Sequence, residues 1–496
     1  MELVKEPRKR AELLARIGDI QQRKGDTESA LETCQEALRV SGGEPCEERA
    51  LALRTLAEVH FRRADYVRAR EDVEASLEIS EKLENPRLVA AGLYSLGNVC
   101  HGRGDLDRAL TCYKRSMEIG HELGNQRLIA NCLNGLGVLL EDRADYEGAI
   151  EHALRSMAIR EKIGDTMGVA HSLNNMGTAY ERLGNLDKAL DSYGKSLTIK
   201  RRIGDRVGEG GALVNIGNVH ASRGNFDEAL ESYAMAASIL EKAGALDFLG
   251  RCYLSSGDIY LWQGALGQAL DRHRKALAIA ESTSNASLAA ESRIGLGLVH
   301  LALGEPEEAL PLCLRSLGDC EKSGLRYLES KILCGVARVY LEIGDSDRAL
   351  GFAERARSLS REISQPSESG QAHRVLGMVY RERQAWSDSA TNFEESLSQF
   401  LSIRMRQGAA ECHQEFALMW AAKGDRDQAL RHICSAIELF RGLNLRRRAD
   451  QAQAVLQKIE AGDPHQGPRR ASKAAKPTAS ATGLPDRARF SRNGIQ

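Results

Sequence analysis

Several features are scarce in this chain of 496 residues, and each scarcity excludes a class of protein. Aromatic residues make up only 5% and prolines number 10, whereas glycines number 46. This composition argues against a few large aromatic cores and favours many short helices that pack through small residues. The net charge is −1, which argues against a general polyanion- or polycation-binding protein.

Long apolar segments are also missing. The sequence contains no run of about 18 apolar residues, so we expect no membrane span. The first residues, MELVKEPRKRAELL, contain no apolar stretch of the kind that a signal peptide needs. The 11 cysteines form no C-x-x-C pair. We therefore expect buried, reduced thiols in a cytoplasmic protein.

What the sequence does contain is a repeat with a spacing of 40 residues. A second small position follows the first by twelve residues, from Ala69 to Ala429, and a third follows seven residues later, from Ser76 to Ala436. Self-similarity at this period predicts a solenoid, here with about eleven repeats within residues 1–444. The first small position is occupied by Ala57, Gly97, Gly137, Gly177, Gly217, Gly257, Gly297, Ala337, Gly377 and Ala417.

Each repeat predicts two helices joined by a short turn. In the repeat after residue 204, Asp205 is the expected N-cap of the first helix, and Gly224 is expected to end it in the left-handed conformation. Asn225 and Glu228 have the spacing of a capping box for the second helix. One such pair cannot bury its apolar stripe alone, so neighbouring pairs are expected to stack and share a core.

The three small positions resemble those of the tetratricopeptide repeat. The resemblance departs from the family pattern in its 40-residue period, against about 34 in the family, and in the missing proline after the second helix. The long form resembles the repeats of LGN-type polarity adaptors and of arrays attached to bacterial signalling enzymes. This resemblance implies an all-α, right-handed α-solenoid of helix-turn-helix units, with the first helices lining the concave face.

The composition changes twice near the end of the chain. Residues 445–461 match the phase of a first helix but are more polar, which predicts a C-terminal helix that caps the solenoid. Residues 462–496 are rich in Pro, Ala, Ser and Arg, and residues 463–496 carry seven basic against two acidic side chains. This segment is predicted to be a disordered basic tail.

No pattern of catalytic or metal-binding residues stands out. Gly194, Lys195 and Ser196 spell the end of a phosphate-binding loop but lie inside a predicted second helix, where loop amides are not available. The protease, kinase and esterase signatures are not found. We expect no catalysis, no cofactor and no metal site.

Seven asparagines fall within four consecutive first helices. Their spacing predicts that they share the concave face, where primary amides donate to and accept from the backbone of an extended peptide. In LGN-type proteins the asparagines of an NLGN motif bind extended target peptides. Residues 215–218 match this motif fully, and residues 175–178 and 95–98 match it in part, so the resemblance implies the same role in these stretches. Alternatively, these amides stabilise a crowded helix face by local hydrogen bonds. The asparagines are Asn98, Asn131, Asn134, Asn174, Asn175, Asn215 and Asn218.

Charged residues follow the asparagines in the same phase. Glu141, Asp142 and Glu181 add negative charge near the asparagines. A basic set in the later repeats completes the predicted peptide-binding residues; otherwise it is simply a solvated face. A chaperone-type carboxylate clamp is not assigned, because Tyr94 and Asn98 occupy its two positions. The basic set is Lys331, Arg338, Arg374 and Arg381.

These features predict a non-catalytic scaffold or adaptor that binds a protein or an extended peptide segment in its concave groove. The alternative, from a different class, is a regulatory or sensor subunit that controls a separately encoded kinase, cyclase or ATPase. A nucleic-acid ligand is disfavoured because the predicted inner face is rich in asparagine and poor in aromatic side chains.

Overall fold

The computed structural model describes residues 7–24, 26–63, 65–363, 365–403 and 405–461. The predicted tail at 462–496 lies outside the described residues. Within them the chain forms 23 helices, and none of these is long and apolar enough to cross a membrane. The helices are α1 (Pro7–Lys24), α2 (Thr27–Ser41), α3 (Glu47–Arg62), α4 (Tyr66–Lys82), α5 (Pro86–Gly102), α6 (Leu106–Glu122), α7 (Gln126–Asp142), α8 (Tyr146–Lys162), α9 (Thr166–Arg182), α10 (Leu186–Ile203), α11 (Arg206–Arg223), α12 (Phe226–Lys242), α13 (Leu246–Gln263), α14 (Leu266–Ser282), α15 (Ala286–Leu303), α16 (Pro306–Ser323), α17 (Arg326–Ile343), α18 (Ser346–Glu362), α19 (Pro366–Glu382), α20 (Trp386–Ser402), α21 (Arg406–Lys423), α22 (Arg426–Gly442) and α23 (Arg446–Glu460).

The helices form a tandem array of pairs. Each odd-numbered helix from α1 to α21 is the first helix of a pair and packs mainly on the even-numbered helix that follows it. First helices of neighbouring pairs also touch one another, which makes them the inner layer. The predicted all-α solenoid is confirmed. Helix α23 packs on α22 at the end of the array.

The first small position of the repeat is where a large side chain from the second helix crosses the first. A Cβ atom placed on Gly217 would lie 2.6 Å from Cε1 of Tyr233, and one placed on Gly97 would lie 2.6 Å from Cε1 of Tyr113. Both rings are almost completely buried. Glycine at this position therefore makes room for the ring.

The third small position carries a hydrogen bond that joins the two helices of a pair. The buried Ser116 hydroxyl donates to the Ala90 carbonyl at 2.8 Å. The same bond, always to the residue 26 positions earlier, is made by Ser76, Ser156, Ser196, Ser316 and Ser396. Where Ala356 replaces the serine, Ser330 on the partner helix donates to the Ala356 carbonyl at 3.2 Å.

The predicted turn chemistry is partly confirmed. The Gly208 amide donates to the Asp205 carboxylate at 2.9 Å, which makes Asp205 the N-cap of α11. Gly224 ends that helix with φ of 82°. Asn225 begins α12 as predicted, but its side chain makes no capping hydrogen bond, so the predicted capping box at this turn is wrong.

The C-terminal end of the solenoid contacts its middle. A Cβ atom on Gly224 would lie 2.9 Å from Cα of Leu443, so the turn between α22 and α23 touches the turn between α11 and α12. Leu443 and Leu445 are only 3% and 2% exposed, and they share one apolar core with Phe226. The guanidinium of Arg447 also donates to the Gly264 carbonyl, in the turn after α13. We call the contacts of Leu443, Leu445 and Arg447 with the turns after α11 and α13 the seam.

The seam closes the part of the array from α12 to α22 into one turn of the superhelix, which we call the ring. A cleft of about 430 Å³ lies beside the seam, with Asp227 and Glu228 on one wall and Arg446 and Arg447 on the other.

Candidate functional site

The predicted asparagines lie on the inner layer of the solenoid. They come from four neighbouring first helices, α5, α7, α9 and α11, and all are partly buried. The residues Asn98, Asn131, Asn134, Asn174, Asn175, Asn215 and Asn218 do not have one common role, however, because their hydrogen-bond partners divide them into three groups.

Four of the asparagines form two lateral pairs between neighbouring first helices. The Asn175 amide donates to the Asn134 side-chain oxygen at 2.9 Å. The Asn215 amide donates to the Asn174 side-chain oxygen at 3.1 Å. The two bonds share the same spacing of 41 residues and join α7 to α9 and α9 to α11. We call these four side chains the amide ladder.

Each pair in the amide ladder keeps hydrogen-bonding capacity. The NH₂ groups of Asn134 and Asn174 and the side-chain oxygens of Asn175 and Asn215 have no partner among the described residues, and none of these atoms is a buried orphan. Each pair thus presents one amide donor and one oxygen acceptor. That is the set needed to pair with the peptide group of an extended chain.

Asn98 and Asn218 serve the packing of the helix pairs. The hydroxyl of the buried Tyr113 donates to Asn98 at 2.7 Å, and that of Tyr233 donates to Asn218 at 2.7 Å. In the pair α9–α10 Thr178 takes the same place and accepts from Tyr193 at 3.1 Å. In these three pairs, the polar residue that follows the first small position thus accepts a hydrogen bond from the tyrosine whose ring crosses that position.

Asn131 belongs to a third arrangement. Its side-chain oxygen accepts from the buried Arg160 guanidinium at 2.7 Å. Arg160 also pairs with Asp165 at 2.7 Å, so it ties α8 to the start of α9. The Asn131 oxygen is therefore engaged in holding a buried cation in place.

Acidic side chains continue the inner face beyond the amide ladder. Burial, together with the charge of the neighbouring Asp142, raises the pKa of Glu141 to about 7. Burial also raises the pKa of Glu181, although Tyr193 donates a hydrogen bond to its carboxylate. Asp142 itself pairs with His101 on α5 at 2.6 Å. This part of the groove therefore combines primary amides with carboxyl groups.

The basic residues predicted in later repeats lie on α17 and α19, and Arg374 and Arg381 form ion pairs with the next first helix. Arg374 on α19 forms an ion pair with Glu411 on α21 at 3.0 Å. Arg381 on α19 pairs with Glu415 on α21 at 2.7 Å. The acidic partners come from the next first helix, and the sequence analysis did not single them out.

Arg338 on α17 differs from these two arginines. It is partly buried and has no hydrogen bond or ion pair with any residue that the structure describes. Its charged surroundings are Arg374 and Arg448, the latter on α23, together with the carboxylates Glu411 and Glu415. Lys331, which begins the basic set, is exposed.

A recurring 34-residue spacing between ion-paired residues could have predicted an acidic partner that the sequence analysis did not single out. Glu415 accepts from Arg381 across 34 residues, and Arg108 and Glu74 pair across the same spacing elsewhere in the array. The role of Arg448 had no such signal, because it depends on how α23 docks. Among the described residues no group of three or more His, Cys, Asp or Glu side chains is placed to hold a metal ion.

Comparison with known proteins identifies the repeat. The family profile of the tetratricopeptide repeat matches well over half of the chain, at residues 9–82, 88–162, 133–202, 168–242, 208–282 and 287–362. The chain belongs to the tetratricopeptide repeat family. No curated protein sequence is significantly similar to it.

Solved structures share the fold of this tetratricopeptide repeat protein at low sequence identity. A Rap protein complexed with competence and sporulation factor is 15% identical with a TM-score of 0.54, covering 72% of this chain and 99% of its own. The apo form of the quorum sensor NprR from B. thuringiensis is also 15% identical, with a TM-score of 0.51 and coverage of 69% and 99%. At this identity the likeness extends to the fold alone.

Proposed function

We propose that this protein is a non-catalytic scaffold that binds an extended polypeptide segment along the inner layer of its solenoid. The observation that carries the proposal is the amide ladder. Its two pairs present a donor and an acceptor each at successive first helices, and they are not consumed by packing as Asn98, Asn131 and Asn218 are. Peptide backbone is the ligand that such a set fits.

A photo-crosslinking experiment tests this proposal. His171 is exposed on α9, three residues before Asn174, and is replaced by benzoylphenylalanine. Cross-linked segments are identified by mass spectrometry after incubation with lysate of the native organism. We expect one predominant segment, and we expect it to be lost when Asn174 and Asn215 are both changed to alanine.

The control places the same photo-reactive residue at Gln268, which is exposed on the second helix α14. Circular dichroism establishes that each variant is as helical as the parent. Equal capture of the segment from positions 171 and 268, or undiminished capture by the double alanine variant, would place the ligand elsewhere.

A second candidate function is a regulatory subunit whose shape responds to a ligand and controls a separately encoded enzyme. The seam favours it, because a ring closed by one contact between distant turns has an open alternative. The proteins that share the fold include a Rap protein complexed with competence and sporulation factor and the quorum sensor NprR. A ligand that changes the radius of gyration in small-angle scattering would support this function, and an unchanged radius would favour the simple scaffold.

A further inference from the structure

A cluster of arginines in the later repeats is not explained by the packing of the solenoid. Arg338, Arg374 and Arg448 come from α17, α19 and α23, and Arg381 lies about two turns further along α19. Three carboxylates, those of Glu411, Glu415 and Glu382, form ion pairs within this group. The cluster therefore has an excess of one positive charge in a partly buried region.

The hydrogen bonding of the cluster is incomplete. Arg374 is only 6% exposed, and its Nε atom is buried without a partner. Its two terminal nitrogens are used by Glu411 and Gln371. Neither Arg338 nor Arg448 has an ion pair or a hydrogen bond with a described residue. A buried cation is normally paired, because its removal from water is otherwise unfavourable.

The electrostatics agree with this geometry. Burial lowers the pKa of Arg338, and the nearby charge of Arg374 lowers it further. Burial alone would raise the pKa of Glu411, but the charges of Arg374, Arg448 and Arg338 hold it below its usual value. Glu411 is thus shared by three guanidiniums, and Glu415 adds a second negative charge near Arg338.

We propose that Arg338, Arg374 and Arg448 form a binding site for a carboxylate group of an acidic peptide segment. This proposal rests on the proposed function, since it names the chemistry of one part of the ligand that lies in the groove. Guanidinium groups pair with carboxylates through two parallel hydrogen bonds, which would satisfy Arg338 and offset the excess charge.

The occupant is a segment of another protein rather than the end of this chain. Residues 463–496 carry seven basic and two acidic side chains, so their net charge has the same sign as that of the cluster. An acidic segment also agrees with the opposite character of the groove near Glu141 and Glu181, where a basic part of the same ligand would lie.

Binding of defined peptides tests the proposal without the natural partner. The probe is a fluorescein-labelled decapeptide of alternating Glu and Gly, and its counterpart has Gln in place of Glu. Fluorescence anisotropy is measured on the full chain, on Arg338→Met, and on the control Arg315→Met, whose arginine is exposed on the second helix α16. We expect the Glu peptide to bind the parent and the control equally, and Arg338→Met at least tenfold more weakly.

Equal binding of the Glu and Gln peptides, or equal affinity of the parent and Arg338→Met, would overturn the proposal. Inorganic phosphate, added at the same concentration at which the Glu peptide half-saturates the site, should leave the peptide bound. Complete displacement of the peptide by phosphate would assign the site to a free oxyanion instead. Arg338→Met should also raise the melting temperature, because it removes an unpaired cation; a lower melting temperature would make Arg338 a structural residue. If the parent gives no predominant cross-linked segment at position 171 but still binds the Glu peptide, only the amide ladder is rejected, which separates the two proposals.

Discussion

The guanidinium of Arg447 donates a hydrogen bond to the carbonyl of Gly264, 183 residues earlier in the chain. In a repeat protein nearly all contacts join neighbouring repeats, so a contact at this separation reports a full turn of the solenoid. It fixes α23 against the turn after α13, and it brings Arg448 to the inner face beside Arg338 and Arg374.

The seam should open when its apolar contact is removed. Leu445→Asp places a charge at a site that is 2% exposed, so burial of the seam becomes unfavourable by about 3 kcal/mol or more. We expect small-angle scattering to show a larger radius of gyration, with helical content unchanged by circular dichroism. Leu401, 64% exposed on α20, provides the control Leu401→Asp, which should keep the parent's radius. A compact Leu445→Asp variant would show that the ring does not depend on this contact.

Gly217 should not tolerate a larger side chain. A leucine there would overlap the Tyr233 ring, and overpacking of this kind destabilises by about 1–3 kcal/mol. Urea unfolding measures the loss as a lower midpoint. The matched control is Gly194→Ala, whose added methyl group meets nothing within 4 Å and which should stabilise α10 by up to about 1 kcal/mol. A Gly217→Leu variant as stable as the parent would contradict the packing of α11 on α12.

Asn218 is expected to matter for stability through Tyr233. Asn218→Ala leaves the buried hydroxyl of that tyrosine without its acceptor, which should destabilise by about 1–2 kcal/mol. In the Tyr233→Phe background the same change should have a much smaller effect, and urea unfolding of the four proteins completes a double-mutant cycle. Additive effects would mean that Asn218 acts independently of Tyr233.

The stability of the protein should depend on pH through Glu141. Its folded-state pKa of about 7 is above the ordinary value of 4.5, so the folded protein binds the extra proton between these two values. The contribution of Glu141 is therefore fully favourable at pH 4 and is lost as the pH rises through 7. Glu141→Gln should match the parent at pH 4 and exceed it by about 1–3 kcal/mol at pH 8 in urea unfolding. A difference that is independent of pH would contradict the raised pKa.

The repeat, its register and the all-α fold were predictable because the same close approach between helices recurs every 40 residues and demands a small residue each time. The asparagines were predicted on the right helices, but their partners were not. Tyr113 and Tyr233 donate hydrogen bonds to Asn98 and Asn218 from the second helix of the pair, and a pattern within one helix does not predict such a contact.

The seam could not be predicted from the repeat pattern. Whether Leu443 meets Gly224 depends on a small rotation that accumulates over several pairs, and a periodic sequence pattern does not encode its sum. The unpaired state of Arg338 depends on the same geometry, since Arg448 reaches it from a helix more than 100 residues later. The local spacing predicted which residues lie on the inner face, whereas the path of the superhelix determines which of these residues come into contact.

The seam also changes the order in which the repeats are expected to unfold. A linear array frays from both ends, because a terminal repeat has only one neighbour. Here the C-terminal pair and α23 are held from a second side by α11–α13, so that end is tethered, while α1 and α2 keep only the next pair as their support. Hydrogen exchange should therefore advance from the N-terminus, and the pairs within the ring should lose their protection together.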